Sequence, residues 1–188
     1  MRKLLLGVAM LLFAQMGFGQ AVSDNAVIPV SVTLNSILRL TVTSGGNINF
    51  VFNTIEQYED GLGPGSQYNT VFNVSSSRDF QVFLGAEDAD FIGFDTGNTI
   101  PLDYLAFNIT GGTGADTDTR VLEALADDPD AIVPAGLAGR STVNEYTIAW
   151  EFGTADALST GTQTNTLLEE SFDADIYMTN VFLSVQPN

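Results

Sequence analysis

Two aspartates in a glycine-rich stretch are residues whose type and spacing could hold a metal ion. Asp116 and Asp118 are separated by one residue within residues 111–118 (GGTGADTD). Calcium takes about six to eight oxygen ligands, and two carboxylates in one loop would supply part of such a set. The spacing therefore predicts Asp116 and Asp118 as calcium ligands. A solvated acidic loop is the alternative, because the chain has 23 acidic residues.

The residue types that the chain lacks exclude most catalytic centres. It contains no cysteine and no histidine, and its single lysine is Lys3. A Cys/His zinc site, a Ser-His-Asp triad and a Cys-His pair are therefore excluded. A carboxylate pair remains, from Glu145 or Glu151 on one strand and Asp173 or Asp175 on another. Because alternating acids also occur on any solvated strand face, we expect no enzymatic activity and no cofactor apart from calcium.

The first 20 residues have the order of a secretory signal. A basic start, Arg2 and Lys3, precedes an apolar run and then small residues near Gln20. That order predicts a signal peptide over residues 1–20 and a secreted product at the cell surface. No later run is long and apolar enough to span a bilayer, so we expect a mature chain that does not cross the membrane.

The net charge of the chain limits the classes of molecule that it can bind. The whole chain has a formal net charge of −17. Both basic residues of the predicted signal leave with it, so the mature chain would be more acidic still. A surface of this sign repels phosphate backbones, and we expect no nucleic-acid partner.

Period-two alternation of apolar residues dominates the chain after the signal. Strand-like runs recur between clusters of Gly, Asn, Asp and Ser, and one-sided alternation is typical of antiparallel sheets with one packed face. We therefore predict one all-β domain over residues 21–188, an immunoglobulin-like antiparallel β-sandwich of about seven to nine strands. The alternating runs begin at Ile28, Leu38, Ile48, Tyr68, Phe80, Leu105, Tyr146 and Phe172.

Local patterns give finer expectations. Residues 75–77 (SSS) predict a hairpin turn between the runs on either side. Residues 172–178 and 181–185 alternate in opposite phase, which predicts a bulge or bend near Thr179. Residues 110–141 are read as a long loop insertion whose one helical candidate covers residues 118–126.

The first alternating run is the candidate assembly element. Ile28, Val30, Val32 and Leu34 alternate with Pro29 and two polar residues. Proline cannot donate to a ladder, so residues 21–34 should form an edge strand. Such a strand could complete the sheet of a neighbouring molecule. An ordinary first strand in its own sandwich is the alternative.

Several segments resemble the spore coat protein U and Csu-type fimbrial subunits, a family of exported pilin-like sandwiches. The similar segments are residues 27–34 (VIPVSVTL), 48–52 (INFVF), 70–74 (TVFNV), 80–85 (FQVFLG), 102–107 (LDYLAF) and 170–178 (ESFDADIYM). The family's paired cysteines are absent, so this chain would be a cysteine-less variant. The resemblance implies a structural subunit of a bacterial surface fibre or coat, joined by donated strands.

Together these observations predict a structural subunit of an extracellular filament, fimbria or surface layer, with a role in cell adhesion. Its partners would be other copies of itself or other surface subunits. A calcium- or carbohydrate-binding surface module is the alternative. The strict alternation around Trp150 predicts a core position for that ring, whereas Phe83 and residues 91–94 (FIGF) are harder to place inside and indicate a contact surface.

Overall fold

The computed structural model describes residues 28–188 of the chain. The predicted signal peptide, residues 1–20, and residues 21–27 of the predicted assembly strand lie outside the described residues. Every described strand belongs to one compact unit, Asn35–Asn188. None of the helices described is long and apolar enough to cross a membrane.

The unit Asn35–Asn188 is built almost entirely from strands. The strands are β1 (Leu38–Ser44), β2 (Asn69–Ser76), β3 (Phe80–Ala86), β4 (Asp90–Gly93), β5 (Thr99–Pro101), β6 (Leu105–Gly111), β7 (Arg120–Val121), β8 (Val133–Gly136), β9 (Glu145–Phe152), β10 (Tyr177–Met178) and β11 (Val181–Pro187). The short helices are α1 (Ile55–Asp60), α2 (Ala155–Thr160) and α3 (Leu167–Glu170), with 3-10 turns at Ser66–Tyr68, Leu102–Tyr104 and Leu125–Asp127.

The strands form three antiparallel sheets. Sheet A has the order β1-β2-β9-β6-β7, sheet B the order β11-β3-β8, and sheet C the order β10-β4-β5. The predicted all-β sandwich is confirmed. The 11 strands described exceed the seven to nine expected, because β5, β7 and β10 have only two or three residues and leave little periodicity in the sequence.

Sheets A and B bury their alternating residues in one shared core. On β2, Phe72 and Val74 are inaccessible to solvent, and Phe80 and Val82 are equally buried on β3. The ring of Tyr146 on β9 stacks on Phe72 with centroids 5.0 Å apart. Period-two alternation therefore reports correctly which side chains face inward on these strands.

The predicted hairpin around residues 75–77 is wrong. β2 belongs to sheet A and β3 to sheet B, so the chain crosses from one layer of the sandwich to the other between them. The Ser76 hydroxyl donates to the Arg78 carbonyl and accepts the Arg78 N–H, which tightens this crossing. Both strands bury their apolar face completely, and alternation alone does not distinguish a crossing from a hairpin.

The bend predicted near Thr179 is confirmed, since β10 in sheet C ends at Met178 and β11 in sheet B begins at Val181. In the alternating apolar row before the bend, which the phase predicts to face one way, Phe172 packs against the core but Ala174 is exposed. Tyr177 packs against the core, whereas Ile176 and Met178 are exposed. The Tyr177 hydroxyl bonds to the Asp173 carbonyl, so an amphipathic ring takes the inward position that the aliphatic residues were expected to hold.

Residues 110–141 are more than a loop. They contribute β7, β8 and four core residues, and the helix predicted over residues 118–126 is replaced by an extended strand and a single 3-10 turn. Leu122 N–H bonds to Leu105 O, and Ile132 N–H bonds to Val82 O. The core residues are Leu122, Ala124, Ile132 and Val133. The long segment therefore packs on both sheets of the sandwich.

A buried asparagine fastens this segment to β9. Asn144 is completely buried, and its side chain accepts from the Thr113 hydroxyl at 2.7 Å and donates to Leu137 O at 2.9 Å. The Tyr146 hydroxyl donates to Thr113 O at 2.8 Å. Burial is the main cause that raises the pKa of Tyr146, and its hydrogen bonds to Thr113 act in the opposite direction.

We expect Asn144→Ala to lower the free energy of unfolding by about 1–3 kcal/mol, because it leaves the Thr113 hydroxyl and the Leu137 carbonyl without their buried partner. Urea denaturation measures the change. Asn73→Ala is the matched control. Asn73 lies half-buried on β2 and, within the described chain, its side chain makes no hydrogen bond, so its substitution should change stability by less than about 0.5 kcal/mol. Equal effects of the two substitutions would contradict the role of Asn144.

Candidate functional site

Residues 28–34, hereafter the donor segment, form no strand or helix. The side chains of Ile28, Val30, Val32 and Leu34 are 78–90% exposed. Strand donation by this segment and an ordinary first strand in the chain's own sheet both stay predictions. A row of four alternating apolar side chains in solvent is unusual for a soluble domain and is typical of an interaction segment.

β1 is an outer strand of sheet A, and one of its edges is open. The Ser77 N–H donates to Ile37 O, and the register continues with Arg39 opposite Ser75. Because bonded and non-bonded residues alternate in an antiparallel pair, the main-chain groups of Leu38, Leu40 and Val42 point away from β2. No other strand in the described part of the chain pairs with that edge.

β11 is an outer strand of sheet B and is open in the same way. The Glu87 N–H donates to Asn180 O, and the Asn188 N–H donates to Asp79 O. The same alternation aims the main-chain groups of Val181, Leu183 and Val185 away from β3. Pro187 also faces away from β3. Its lack of an N–H therefore costs no hydrogen bond with β3.

A cavity of about 430 Å³ with a mixed polar and apolar lining, hereafter the edge groove, opens between these two strands. The end of β1 and the residues after it line one part, and the start of β11 lines another. Leu84, Leu105 and Trp150 from three inner strands complete it. The lining residues are Val42, Gly45, Gly46, Asn47, Ile48, Phe50, Thr70, Leu84, Phe91, Leu105, Trp150, Thr179, Asn180, Val181, Phe182 and Leu183.

The rim of the edge groove leaves apolar surface uncovered. Val42 is 43% exposed and Val181 is 38% exposed, although both belong to the rows of side chains that face the core. The same rows are half-buried at Leu40 and Leu183. The inner faces of sheets A and B therefore extend to the edge of the sandwich, where no strand within residues 28–188 covers them.

Residues 48–52, predicted as a strand, are assigned to no strand. Ile48, Phe50 and Phe52 pack against the core, and Phe50 stacks on Tyr68 with ring centroids 4.4 Å apart. The packing of these side chains holds the segment in place without main-chain hydrogen bonds to a neighbouring strand. The alternation of apolar residues is the same in both cases, so it could not show the difference. The segment forms part of the groove wall through Ile48 and Phe50.

A hydrogen-bond relay fixes the groove at Trp150. The Trp150 Nε1–H donates to the Thr70 hydroxyl at 2.9 Å, and that hydroxyl donates to Gly45 O at 2.6 Å. Gly45 has a φ of +66°, and a Cβ there would lie 1.9 Å from Asn69 O. The turn that follows β1 is therefore held against β2, and Trp150 has a core position as the alternation predicted.

An aromatic cluster supports one end of the groove. The ring of Phe152 contacts Phe50 at 5.6 Å and Phe91 at 5.4 Å between centroids. Tyr104 stacks on Phe152 at 6.4 Å. Burial, followed by the nearby Glu170 carboxylate, raises the pKa of Tyr104 to about 12.

Of the residues 91–94 that were predicted to form a contact surface, one packs in the core and two are exposed. Phe91 packs on Phe152, whereas Ile92 and Phe94 are exposed beside Met178 and Ile176 of the neighbouring chain segment. Phe83 is half-buried. A contact surface at these residues stays a prediction.

Two of the four carboxylates considered for catalysis, Glu151 and Asp175, have structural partners. Glu151 is buried and accepts from the Thr154 hydroxyl at 2.7 Å. Asp175 accepts from the Asp95 N–H, the Asn98 amide and the Ile176 N–H. The Asp95 N–H is the main cause that holds the pKa of Asp175 below its usual value, since hydrogen bonds to a carboxylate favour its charged form.

Asp116 and Asp118 lie in a separate open depression of about 670 Å³, together with Asp130, Arg120 and Phe83. The Asp118 N–H donates to Asp116 Oδ1 at 3.2 Å, and Arg120 Nη1 lies 3.9 Å from Asp116 Oδ2. Within residues 28–188, no three acidic side chains are grouped closely enough to hold a metal ion. Calcium binding at Asp116 and Asp118 stays a prediction.

Sequence reasoning missed the edge groove. The signal available was the C-terminal run Val181, Leu183 and Val185, which ends at Pro187 and so indicates an edge strand. Nothing in the periodicity of β1 identified it as the opposite rim.

A comparison of the sequence with protein-family models and with curated proteins finds no match.

We expect Thr70→Val to lower the free energy of unfolding by about 1–3 kcal/mol, because the Trp150 N–H and the Gly45 carbonyl both lose their buried partner while the shape is kept. Urea denaturation followed by the emission of Trp150 measures this. Thr41→Val on the outer face of β1 should change stability by less than about 0.5 kcal/mol. A neutral result for Thr70→Val would show that the relay does not hold the groove.

The calcium prediction has a thermal test. A site that binds calcium only in the folded state must raise the unfolding midpoint as calcium is added. The rise should disappear in the double substitution D116N/D118N and persist in D127N/D128N, which removes the same charge from a neighbouring acidic pair. A midpoint that does not respond to calcium in the unsubstituted chain would refute the prediction.

Proposed function

We propose that the chain is an exported, non-enzymatic structural subunit of an extracellular filament, fimbria or surface layer. Subunits join when residues 21–34 of one molecule add as a strand to a neighbouring subunit. The partner is another copy of the chain or another surface subunit. The resemblance to pilin-like sandwiches favours the same class of function.

The observation that carries the proposal is the exposure of the donor segment. Burying a Val, Leu or Ile side chain contributes about 1.5–3 kcal/mol relative to leaving it in water. Four such side chains, at Ile28, Val30, Val32 and Leu34, are 78–90% exposed. Their alternation matches the pattern of strand addition, in which main-chain bonds give affinity and alternate side chains give specificity.

The acidity of the chain limits how subunits can meet. With a net charge of −17, copies repel one another through their surfaces, and salt screens that repulsion. Residues 21–34 contain one charged side chain, Asp24, and the donor segment within them contains none, so a contact through the donor segment itself brings no further acids together. Association through uncharged strands is therefore the route that this composition favours.

We expect the chain without residues 1–20 to form oligomers or filaments, and the V30D/V32D double substitution to remain monomeric. The two aspartates would have to be buried without a partner charge, which is strongly unfavourable. Size-exclusion chromatography and negative-stain microscopy measure assembly. S31D/T33D is the matched control. It adds the same charge to the other face of the segment and should still assemble.

Removal of residues 21–34 should abolish assembly in the same way. Every described strand remains in that variant, because the strands all lie within Asn35–Asn188. The proposal is refuted if the unsubstituted chain stays monomeric at high protein concentration. It is refuted equally if the truncated chain assembles as well as the intact one.

A further inference from the structure

We infer that the outer face of sheet C docks a polypeptide other than this chain, one whose contact surface has an apolar centre and a rim of lysine and arginine side chains. The docking surface, hereafter the sheet C patch, consists of Ile92, Phe94, Ile176 and Met178. The inference goes beyond the proposed function, because the donor segment takes no part in it.

The pairing of β4 with β10 places the four side chains of the sheet C patch next to one another. Met178 lies directly opposite Ile92 in the antiparallel register. The Phe94 N–H donates to Ile176 O at 3.0 Å, so the same register continues two residues further along each segment. Residues that lie directly opposite, and residues two apart on one strand, share a face of the sheet. The four side chains therefore form one continuous apolar surface.

The sheet C patch is open to solvent although its residues are apolar. Ile92 is 46% exposed, Phe94 81%, Ile176 67% and Met178 61%. Tyr177, whose hydroxyl is compatible with water, instead packs against the core between the two exposed aliphatic residues. Folding stability alone favours the opposite arrangement. A contiguous exposed apolar surface of this kind is typical of an interaction site.

Hydrogen bonds to Asp175 hold the sheet C patch in a fixed shape. One carboxylate oxygen accepts from the Asp95 N–H at 2.9 Å and from the Asn98 amide at 3.1 Å. The other oxygen accepts from the Ile176 N–H at 2.7 Å. These bonds connect the turn after β4 to the segment that enters β10. A surface that is ordered before binding loses less conformational entropy when a partner docks.

The charges around the sheet C patch indicate the chemistry of the partner. Residues 87–98 and 173–180 contain six acidic side chains and no basic one. Asp90 lies two residues before Ile92 on the same face of β4, and Asp95 follows Phe94 directly and is exposed. Protein interfaces commonly combine an apolar centre with a polar rim, and opposite charges across the rim favour association. The complementary surface is therefore apolar at its centre and basic at its rim.

The same charges argue against other occupants. Two copies of this chain that met through the sheet C patch would bring two acidic rims together, and residues 21–188 contain only four arginines and no lysine to offset them. An anionic lipid surface has the same unfavourable sign. A sugar needs hydrogen-bonding groups, which the four side chains of the patch lack. A basic, amphipathic polypeptide satisfies both the apolar centre and the acidic rim.

The probe is a synthetic helical peptide with a leucine stripe flanked by lysines, carrying a fluorophore and titrated with the chain that lacks residues 1–20. One control peptide has serine in place of leucine, and another has glutamate in place of lysine. Fluorescence anisotropy measures binding. We expect the leucine-lysine peptide to bind at least about tenfold more tightly than either control, and more weakly as salt is raised, because salt screens attraction between exposed charges.

Substitutions in the apolar centre locate the binding site. F94S/M178S leaves the net charge unchanged and should weaken binding at least about tenfold, because it removes apolar area that the peptide would bury. L137S/V143S is the matched control, since both side chains are apolar and 54–55% exposed elsewhere on the domain. The control should change affinity less than about twofold. An unchanged urea midpoint verifies that each variant folds.

Substitutions in the acidic rim test the charge argument. D90N/D95N should weaken binding about threefold and reduce its salt dependence, because rim charges act mainly through long-range attraction. D127N/D128N removes the same charge from an acidic pair outside the patch and should have a smaller effect. Binding of the glutamate peptide as tight as that of the lysine peptide would overturn the basic rim.

The remaining outcomes separate this inference from strand donation. V30D/V32D leaves the sheet C patch intact, so it should bind the leucine-lysine peptide as the unsubstituted chain does. Binding that F94S/M178S leaves unchanged, or no binding by the unsubstituted chain, overturns the docking surface and leaves strand donation standing. Loss of self-assembly in F94S/M178S shows that copies of this chain meet through the patch, and overturns the inference of a different partner.

Discussion

In a β-sandwich the apolar inner faces of the two sheets bury each other. The structure of this domain depends on how far that mutual burial extends toward the edges of sheets A and B. At the centre it is complete, since Phe72 of sheet A and Phe80 of sheet B have no solvent contact. At one edge the cover is incomplete, because the inward rows of β1 and β11 reach Val42 and Val181 and none of the strands described lies beyond them. The uncovered apolar surface and the unpaired main-chain groups lie on the same residues. An additional strand is the element that would satisfy both at once.

Hydrogen bonds and aromatic stacking hold the residues around the edge groove in place, and they leave the groove open. The Thr70 hydroxyl connects Trp150 to Gly45, and Phe50 is held by stacking on Tyr68. On the far side of the domain, Asn144 binds the long segment of residues 110–141 to β9. These contacts are local and satisfied, so the edge groove is part of the folded architecture. The chain has 23 acidic residues, whereas the lining of the edge groove includes no charged side chain.

The sequence predicts the fold class well because alternation reports directly on burial, as on β2, β3 and β9. It does not report which strands pair. The chain crosses between sheets at Ser76, where a hairpin gives the same pattern, and residues 48–52 alternate inward through aromatic anchoring with no ladder. Tyr177 takes the inward position expected for Ile176 and Met178, since its hydroxyl finds a partner. The alternating apolar row of residues 28–34 is visible in the sequence alone. The edge groove is not, because β1 and β11 are far apart in sequence and only the fold places their edges near each other.

Residue-resolved amide hydrogen exchange, compared between monomer and assembly, tests the central claim most directly. In the monomer, the amides of Leu40, Leu183 and Val185 face an open edge and should exchange much faster than those of Arg39 and Ser184, which face β2 and β3. On assembly the open-edge amides should become strongly protected, while the already bonded amides change little. Assembly that leaves the amides of Leu40, Leu183 and Val185 as unprotected as in the monomer would contradict the account.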